Sequence, residues 1–73
     1  MIATHTTLQL RVMPTRRGGW RVEDGSSVRA LCDTPTEAER LAERLLDDAG
    51  AGQVLVYDAY LRLRTVRRVS PDD

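Results

Sequence analysis

The chain has 73 residues, and its eleven basic and eleven acidic side chains give a formal net charge of zero. A chain of this length predicts a single small domain over residues 1–73, and the balanced charge argues against attraction of the whole molecule to nucleic acid or an anionic membrane. The single cysteine excludes an intrachain disulfide and is typical of a reducing cytoplasm.

The first residues, "MIATHTTLQL", lack the basic region and the unbroken apolar run of a signal peptide. No stretch approaches the roughly 20 apolar residues that a membrane span needs. We therefore expect a cytoplasmic protein without a membrane partner. Residues 1–6 and 70–73 are predicted to be flexible tails. Because a domain this small gains stability from added contacts, self-association is expected.

Three short strands are predicted before the helix. Residues 7–13 alternate between apolar and polar side chains, which predicts a strand that Pro14 ends. A turn at "PTRRGG" leads to a second strand that begins at Trp20. After a turn at "EDGSS", the alternation of Val28, Ala30 and Cys32 predicts a third strand.

Residues 34–42, "TPTEAERLA", contain a complete helix-start motif. Thr34 can cap the first turn, Pro35 suits the first helical position, and Glu37 can reach back to the Thr34 backbone N–H. Gly50 suits the left-handed position after the helix ends. The predicted apolar face has Leu46 at its border and otherwise consists of Ala38, Leu41, Ala42, Leu45 and Ala49.

Two more strands are predicted after the helix. "QVLVY" has the continuous apolar run of a strand in the middle of a sheet. After a connection at residues 58–60, Leu61 and Leu63 alternate with Arg62 and Arg64 in a last strand that ends near Val69. The predicted fold is α+β, an antiparallel sheet of about five strands in the order β-β-β-α-β-β, with one amphipathic helix packed on one face.

The order and spacing of these elements resemble the bacterial domain-of-unknown-function family 2188. The matching positions are residues 12–14 and 20–22, Gly25, Thr34 with Glu37 and Ala38, Ala42, and residues 54–56. The resemblance implies a compact α+β domain and no established activity, cofactor or partner. The family has a glycine in the turn after the valine-rich strand, where this chain has "YDAYLR".

No residue set predicts catalysis or a metal site. His5 has no second ligand at metal-binding spacing, and Cys32 lies on an apolar strand face without a neighbouring base. Glu39, Glu43 and Asp47 share one helix face with interspersed arginines, which is typical of a solvated surface. "RRGG" leads into a strand, so it offers no helix N-terminus to an anion. We predict a protein that is not an enzyme and has no cofactor and no small-molecule substrate.

Apolar strand residues, Val28, Leu61 and Leu63 among them, are predicted to face the helix. Strict alternation then predicts an arginine-rich face on the side of the sheet away from the helix. Apolar side chains lie among these arginines, with Leu55 or Tyr57 at the centre, depending on the register of "VLVY". The helix side is predicted to be acidic. The candidate interaction surface consists of Arg11, Met13, Arg21, Arg29, Leu31, Tyr57, Arg62 and Arg64.

Three interpretations of this face stay open at the level of sequence. It can be an ordinary wet face of an antiparallel sheet. It can be a surface for a second copy or another protein, because Arg, Met and Tyr are enriched in interfaces. It can also bind nucleic-acid phosphates, although few aromatic side chains are available to stack on bases. We predict a self-associating or protein-binding module that uses its open sheet face or an edge strand, with nucleic-acid binding as the alternative.

Overall fold

The computed structural model describes residues 8–70, which form five strands and one helix. The elements are β1 (Leu8–Pro14), β2 (Trp20–Glu23), β3 (Val28–Cys32), α1 (Pro35–Ala49), β4 (Gly52–Tyr57) and β5 (Leu63–Val69). The α+β class, the order of the elements along the chain and the single helix on one side of the sheet are as predicted. His5 and the predicted tails, apart from Ser70, lie outside the described residues.

The sheet is mixed, so the prediction of a purely antiparallel sheet is wrong. Its strands lie in the spatial order β3-β2-β1-β4-β5, and β1 and β4 run parallel, with Leu8 opposite Gly52 and Val12 opposite Val56. The other neighbours are antiparallel. A connection that contains a helix can return the chain for parallel pairing, which a hairpin cannot do. β2 pairs with one edge of β1, and β4 pairs with the other edge.

The core lies between α1 and the sheet. The centre of the helix face is Ala38, Ala42 and Leu46, at successive four-residue steps. Leu46 is only 1% exposed and Ala49 is exposed, so the prediction that Leu46 lies at the border of this face is wrong. The two alanines allow the helix to approach the sheet closely. The buried core consists of Leu10, Val12, Val22, Ala38, Ala42, Leu46 and Val54.

Side chains and a glycine define both ends of α1. The Thr34 hydroxyl accepts a hydrogen bond from the Glu37 backbone N–H at 3.2 Å, as expected of an N-cap. The Glu37 carboxylate accepts from the backbone N–H of Asp33 at 3.2 Å, one residue earlier than predicted. At the other end, Gly50 has φ of 82° and donates its N–H to Leu46 O and Asp47 O.

Gly52 fixes the junction between α1, β1 and β4. Its φ is 141°, a conformation that side-chain-bearing residues rarely adopt, and a Cβ here would collide with the carbonyl oxygen of Leu8. The same Cβ would lie 3.0 Å from Leu46 Cδ1. Glycine therefore allows β4 to start directly beside β1 and under the helix end.

The helix covers the sheet unevenly. α1 packs on β1, β2, β3 and β4. β5 lies at the sheet edge, where the helix covers little of it, and all of its residues are exposed except the half-buried Val69, which packs against the core. Within residues 8–70 no helix has the length and apolar character needed to cross a membrane.

Candidate functional site

The side of the sheet away from α1, called the open face from here on, brings together five of the predicted surface residues. Directly paired residues point to the same side of a sheet. Arg11 pairs with Glu23, Met13 with Arg21, and Arg21 with Leu31. Tyr57 follows Val56, which pairs with the buried Val12, so Tyr57 points to the opposite side, the open face. The open face therefore contains Arg11, Met13, Arg21, Leu31 and Tyr57.

Arg29 and Arg62 lie in local ion pairs at turns. The strand register shifts between Val22 and Glu23, which leaves Arg29 as an extra residue without a direct partner. Its Nη1 lies 3.1 Å from Asp24 Oδ2. Arg62 precedes β5, and its Nε lies 3.1 Å from Asp58 Oδ2. Both guanidinium groups are held by turn carboxylates.

Arg64 lies on the helix side of the sheet. A second register shift separates the Val56–Thr65 pair from the Tyr57–Leu63 pair, and Arg64 is the extra residue between them. It lines a concavity of about 320 Å³ with Trp20 and Glu39. The prediction that strict alternation continues through this strand is therefore wrong.

The same shifts move apolar residues that the sequence predicted beneath the helix. Leu63 pairs with Tyr57 and Val28 pairs with Glu23, so both point to the open face. Leu61 lies in the turn before β5. On the helix side β5 instead presents Arg67, whose Nε lies 3.6 Å from Glu43 Oε2.

Glu23 partly compensates the charge of two arginines at the centre of the open face. Its carboxylate lies 2.9 Å from Arg21 Nε and 3.8 Å from Arg11 Nη1. Arg21 Nη2 also contacts the sulfur of Met13 at 3.9 Å. Glu23 was missing from the predicted surface, although alternation within "WRVE" places it on the same side as Arg21. This part of the open face is an ion-paired network that retains a net charge of plus one, less basic than the arginines alone would make it.

Beside this network lies an apolar patch that spans three neighbouring strands. Leu55 pairs with Val66, and Tyr57 pairs with Leu63. Val66 is 43% exposed and Leu63 is 52% exposed. Met13 on β1 adjoins them from the side of the ion-paired network. The open-face patch, as it is called below, consists of Met13, Leu55, Tyr57, Leu63 and Val66. The sequence prediction missed Leu63, because the register shift before Thr65 was not recognised. It also left out Val66, although alternation with Arg62 and Arg64 places Val66 on the predicted arginine-rich face.

The turn between β4 and β5 is organised by Asp58. Its Oδ1 accepts hydrogen bonds from the backbone N–H groups of Tyr60 at 2.8 Å and Arg62 at 3.0 Å. Led by the backbone N–H of Arg62, these donors lower the pKa of Asp58. Leu61 has φ of 64°, so a leucine occupies a left-handed position that favours glycine. Tyr60 is 79% exposed, and the guanidinium carbon of Arg62 lies 5.4 Å from the centroid of its ring.

Asp24 organises the turn between β2 and β3 in the same way. Its Oδ1 accepts from the backbone N–H groups of Ser26 and Ser27, each at 3.0 Å, and Oδ2 faces Arg29. These hydrogen bonds lower the pKa of Asp24 from 3.8 to about 2. The carboxylate serves the turn and is not poised to exchange a proton near neutral pH.

Cys32 is half-buried against the core. Burial raises the pKa of its thiol, and the charges of Glu37 and Asp33 add to this effect. Because the thiolate is the nucleophilic form, this environment suppresses reactivity. Among residues 8–70, no three His, Cys, Asp or Glu side chains converge on a point that could hold a metal ion. The absence of enzymatic activity stays a prediction.

Two adjoining concavities lie at the end of the sheet near β3. One, of about 550 Å³, is lined in part by Trp20 and Leu31, and the other, of about 440 Å³, lies between β3 and α1 beside Leu41. The arginines that line them are Arg16, Arg17, Arg21, Arg40 and Arg44. Both concavities therefore combine apolar side chains with guanidinium groups.

In comparisons with protein-family models, curated proteins and solved structures, nothing matches this chain. The resemblance to family 2188 therefore stays a prediction.

Proposed function

We propose that the protein is a non-enzymatic interaction module that self-associates or binds another protein through its open sheet face or an edge strand. The observation that supports this proposal is the open-face patch, where apolar side chains of β1, β4 and β5 are contiguous and partly exposed. Exposed contiguous apolar surface is typical of interaction sites. The unpaired thiol of Cys32 fits a reducing compartment, and we propose the cytoplasm as the place of action.

The composition of the open face fits an interface between proteins. An apolar centre beside a polar border is the usual arrangement in such interfaces. Here the open-face patch is bordered by the network of Arg11, Arg21 and Glu23. Two copies can pack their sheets face to face, about 10 Å apart, so that each patch removes the other from water. This arrangement adds burial to a domain whose own core is small.

Sedimentation equilibrium, run from low to high micromolar protein, tests self-association. Val66→Glu places a charge in the open-face patch and is expected to weaken self-association by about tenfold or more. Thr65→Glu is the matched control, because Thr65 is the exposed neighbour on the same strand and lies on the helix side. A strict monomer at high micromolar concentration would remove the self-association part of the proposal, and equal effects of the two variants would argue against the open face.

Nucleic-acid binding is the second candidate function. Arg64 and Arg68 support it, since neither has a carboxylate partner among residues 8–70. The ion pairs of Arg11, Arg21, Arg29 and Arg62 with nearby carboxylates weigh against it. Fluorescence anisotropy with labelled single- and double-stranded DNA and RNA is the test. Backbone binding predicts an affinity that falls steeply with salt, and no binding at low salt excludes this function.

A further inference from the structure

The outer edge of β5 is the longer open edge of the sheet. β5 pairs only with β4 and has seven residues, while the opposite edge strand, β3, has five and is interrupted by a register shift. An edge strand presents backbone N–H and C=O groups that can pair with another chain. Residues 65–69 of β5 pair regularly with β4, so this stretch has the extended geometry that an added strand requires.

Positive charge is concentrated on this edge. Three of the seven residues of β5 are arginines, Arg64, Arg67 and Arg68. Among residues 8–70 the carboxylate that pairs with them is Glu43, at 3.6 Å from Arg67. Arg68 donates from Nε to the side-chain oxygen of Gln53 at 3.3 Å, which leaves its charge uncompensated. The charge of the edge therefore favours an acidic occupant.

A second copy of β5 is a poor occupant for this edge. Antiparallel pairing about a twofold axis at Arg67 uses the whole regular stretch of residues 65–69 but places Arg67 opposite itself, and an axis at Arg68 places Arg68 opposite itself. Like charges in directly opposite positions destabilise a strand pair. An axis at Thr65 or Val66 pairs part of the regular stretch of each copy with the register shift at Arg64 of the other, so fewer residues can form a regular ladder.

A nucleic-acid backbone also fits this edge poorly. Arg67 pairs opposite Val54 and points to the helix side, while Arg68 pairs opposite Gln53 and points to the open face. A phosphate chain on either side of the sheet meets only one of the two guanidinium groups. A peptide strand meets both, because its side chains alternate between the two sides. Val66 precedes Arg67 in the chain and lies on the same side of the sheet as Arg68, where it belongs to the open-face patch and adds an apolar contact.

We propose that the outer edge of β5 binds an acidic, extended peptide segment of another protein by β-strand addition along residues 65–69. This inference rests on the proposed function and specifies the edge and the partner. The added strand forms backbone hydrogen bonds with β5. Its carboxylates lie beside Arg67 or Arg68, and its apolar side chains extend the open-face patch beside Val66.

The test uses the full chain and a capped peptide of sequence Thr-Val-Glu-Glu-Val-Thr, whose adjacent glutamates point to opposite sides of the sheet and can meet both Arg68 and Arg67. Binding is followed by NMR amide shifts. We expect the largest shifts in β5. N-methylation of alternate peptide residues removes edge hydrogen bonds and is expected to weaken binding by about tenfold or more. Arg67→Glu/Arg68→Glu should reduce binding at least as much. The matched control, Arg40→Glu/Arg44→Glu, makes the same charge change on α1 and should alter binding less than about twofold.

Several results would overturn the inference: no shift at about 1 mM peptide, equal loss in both double variants, or no effect of N-methylation. Tighter binding of an oligothymidylate of about 15 nucleotides would assign the edge to nucleic acid instead. The single variant Arg68→Gln and an amide spectrum of each variant separate loss of binding from loss of folding. If the peptide fails while Val66→Glu still weakens self-association, this inference is wrong and the proposed function stands.

Discussion

Leu61 adopts a backbone conformation that is unfavourable for a side-chain-bearing residue. Its φ is 64°, and a left-handed conformation costs such residues about 1–2 kcal/mol. We predict that Leu61→Gly raises the free energy of unfolding by about 1 kcal/mol, after the greater flexibility of glycine in the unfolded chain is subtracted. Urea unfolding measures this change. Ala59→Gly, in the same turn but at a residue without positive φ, should lower stability; a similar gain in both variants would contradict the explanation.

Asp24 makes the free energy of unfolding depend on pH in the acidic range. Its pKa is lowered from 3.8 to about 2 in the folded protein, so its stabilising effect is complete above pH 3.8 and is lost as the pH falls towards 2. We predict that Asp24→Asn, which can keep the acceptor oxygen for Ser26 and Ser27 but lacks the charge, makes stability less sensitive to pH across this interval. Thermal unfolding at a series of pH values is the measurement. An unchanged acid dependence in the variant would assign the sensitivity to other carboxylates.

At the scale of the element, α1 has a well-defined N-cap, but no positive charge in its last turn compensates the negative end of the helix dipole. Asp47 and Asp48 lie in the last turn, which contains no basic residue. Negative charge there opposes the helix dipole. We predict that Asp48→Lys raises the free energy of unfolding by about 0.3–1 kcal/mol.

The control for this prediction introduces a lysine at the other end of the helix. Thr36→Lys places a positive charge in the first turn, at the unfavourable end of the dipole, and stability should fall. Denaturant unfolding at low salt, repeated at about 1 M salt where charges are screened, measures both effects. Equal shifts in the two variants would show that the helix dipole is not the cause.

The helix could be predicted closely from sequence because its ends are set by local chemistry. Thr34, Pro35 and Gly50 each perform at the terminus the role that their residue type suggests. Strand faces could be predicted only where alternation is unbroken, as in β1. Each register shift adds one residue and reverses the side on which the following residues lie. Arg29 and Arg64 stand at these shifts, and no turn residue in the sequence marks either one.

At the scale of the whole molecule, stability is expected to decline from the centre of the sheet to its edges. β1 lies between β2 and β4 under the helix, whereas β5 is exposed and has one strand neighbour. We predict that the amides of Leu10, Val12 and Val54 exchange most slowly with solvent and that those on the outer edge of β5 exchange fastest.

Hydrogen exchange followed by NMR at low micromolar protein measures this gradient. Central amides serve as the internal control, since their exchange reports global unfolding. Protection of the whole of β5 equal to that of β1 would contradict the prediction and would indicate that the outer edge is already paired.

The candidate site could be predicted in part, because its location depends on which strands are neighbours. The open face was correctly expected to contain Arg11, Met13 and Arg21, whose positions follow from alternation. The open-face patch depends on β4 lying between β1 and β5, an arrangement that the parallel crossover creates. The apolar run "QVLVY" predicted that this strand lies inside the sheet, but it does not identify the neighbouring strands, because that choice is made by packing between segments far apart in the chain.

The parallel pairing of β1 with β4 also sets when this fold can form. Leu10 pairs with Val54, and Val12 pairs with Val56. β1 therefore cannot complete its pairing until β4, which follows the helix in the chain, has been translated. A growing chain that ends before residue 52 can form the β1–β2 and β2–β3 hairpins. The backbone groups on the other edge of β1, at Leu10 and Val12, then have no strand partner. Productive folding is therefore deferred until residues 52–57 have left the ribosome, because the parallel pairing of β1 requires a long-range closure.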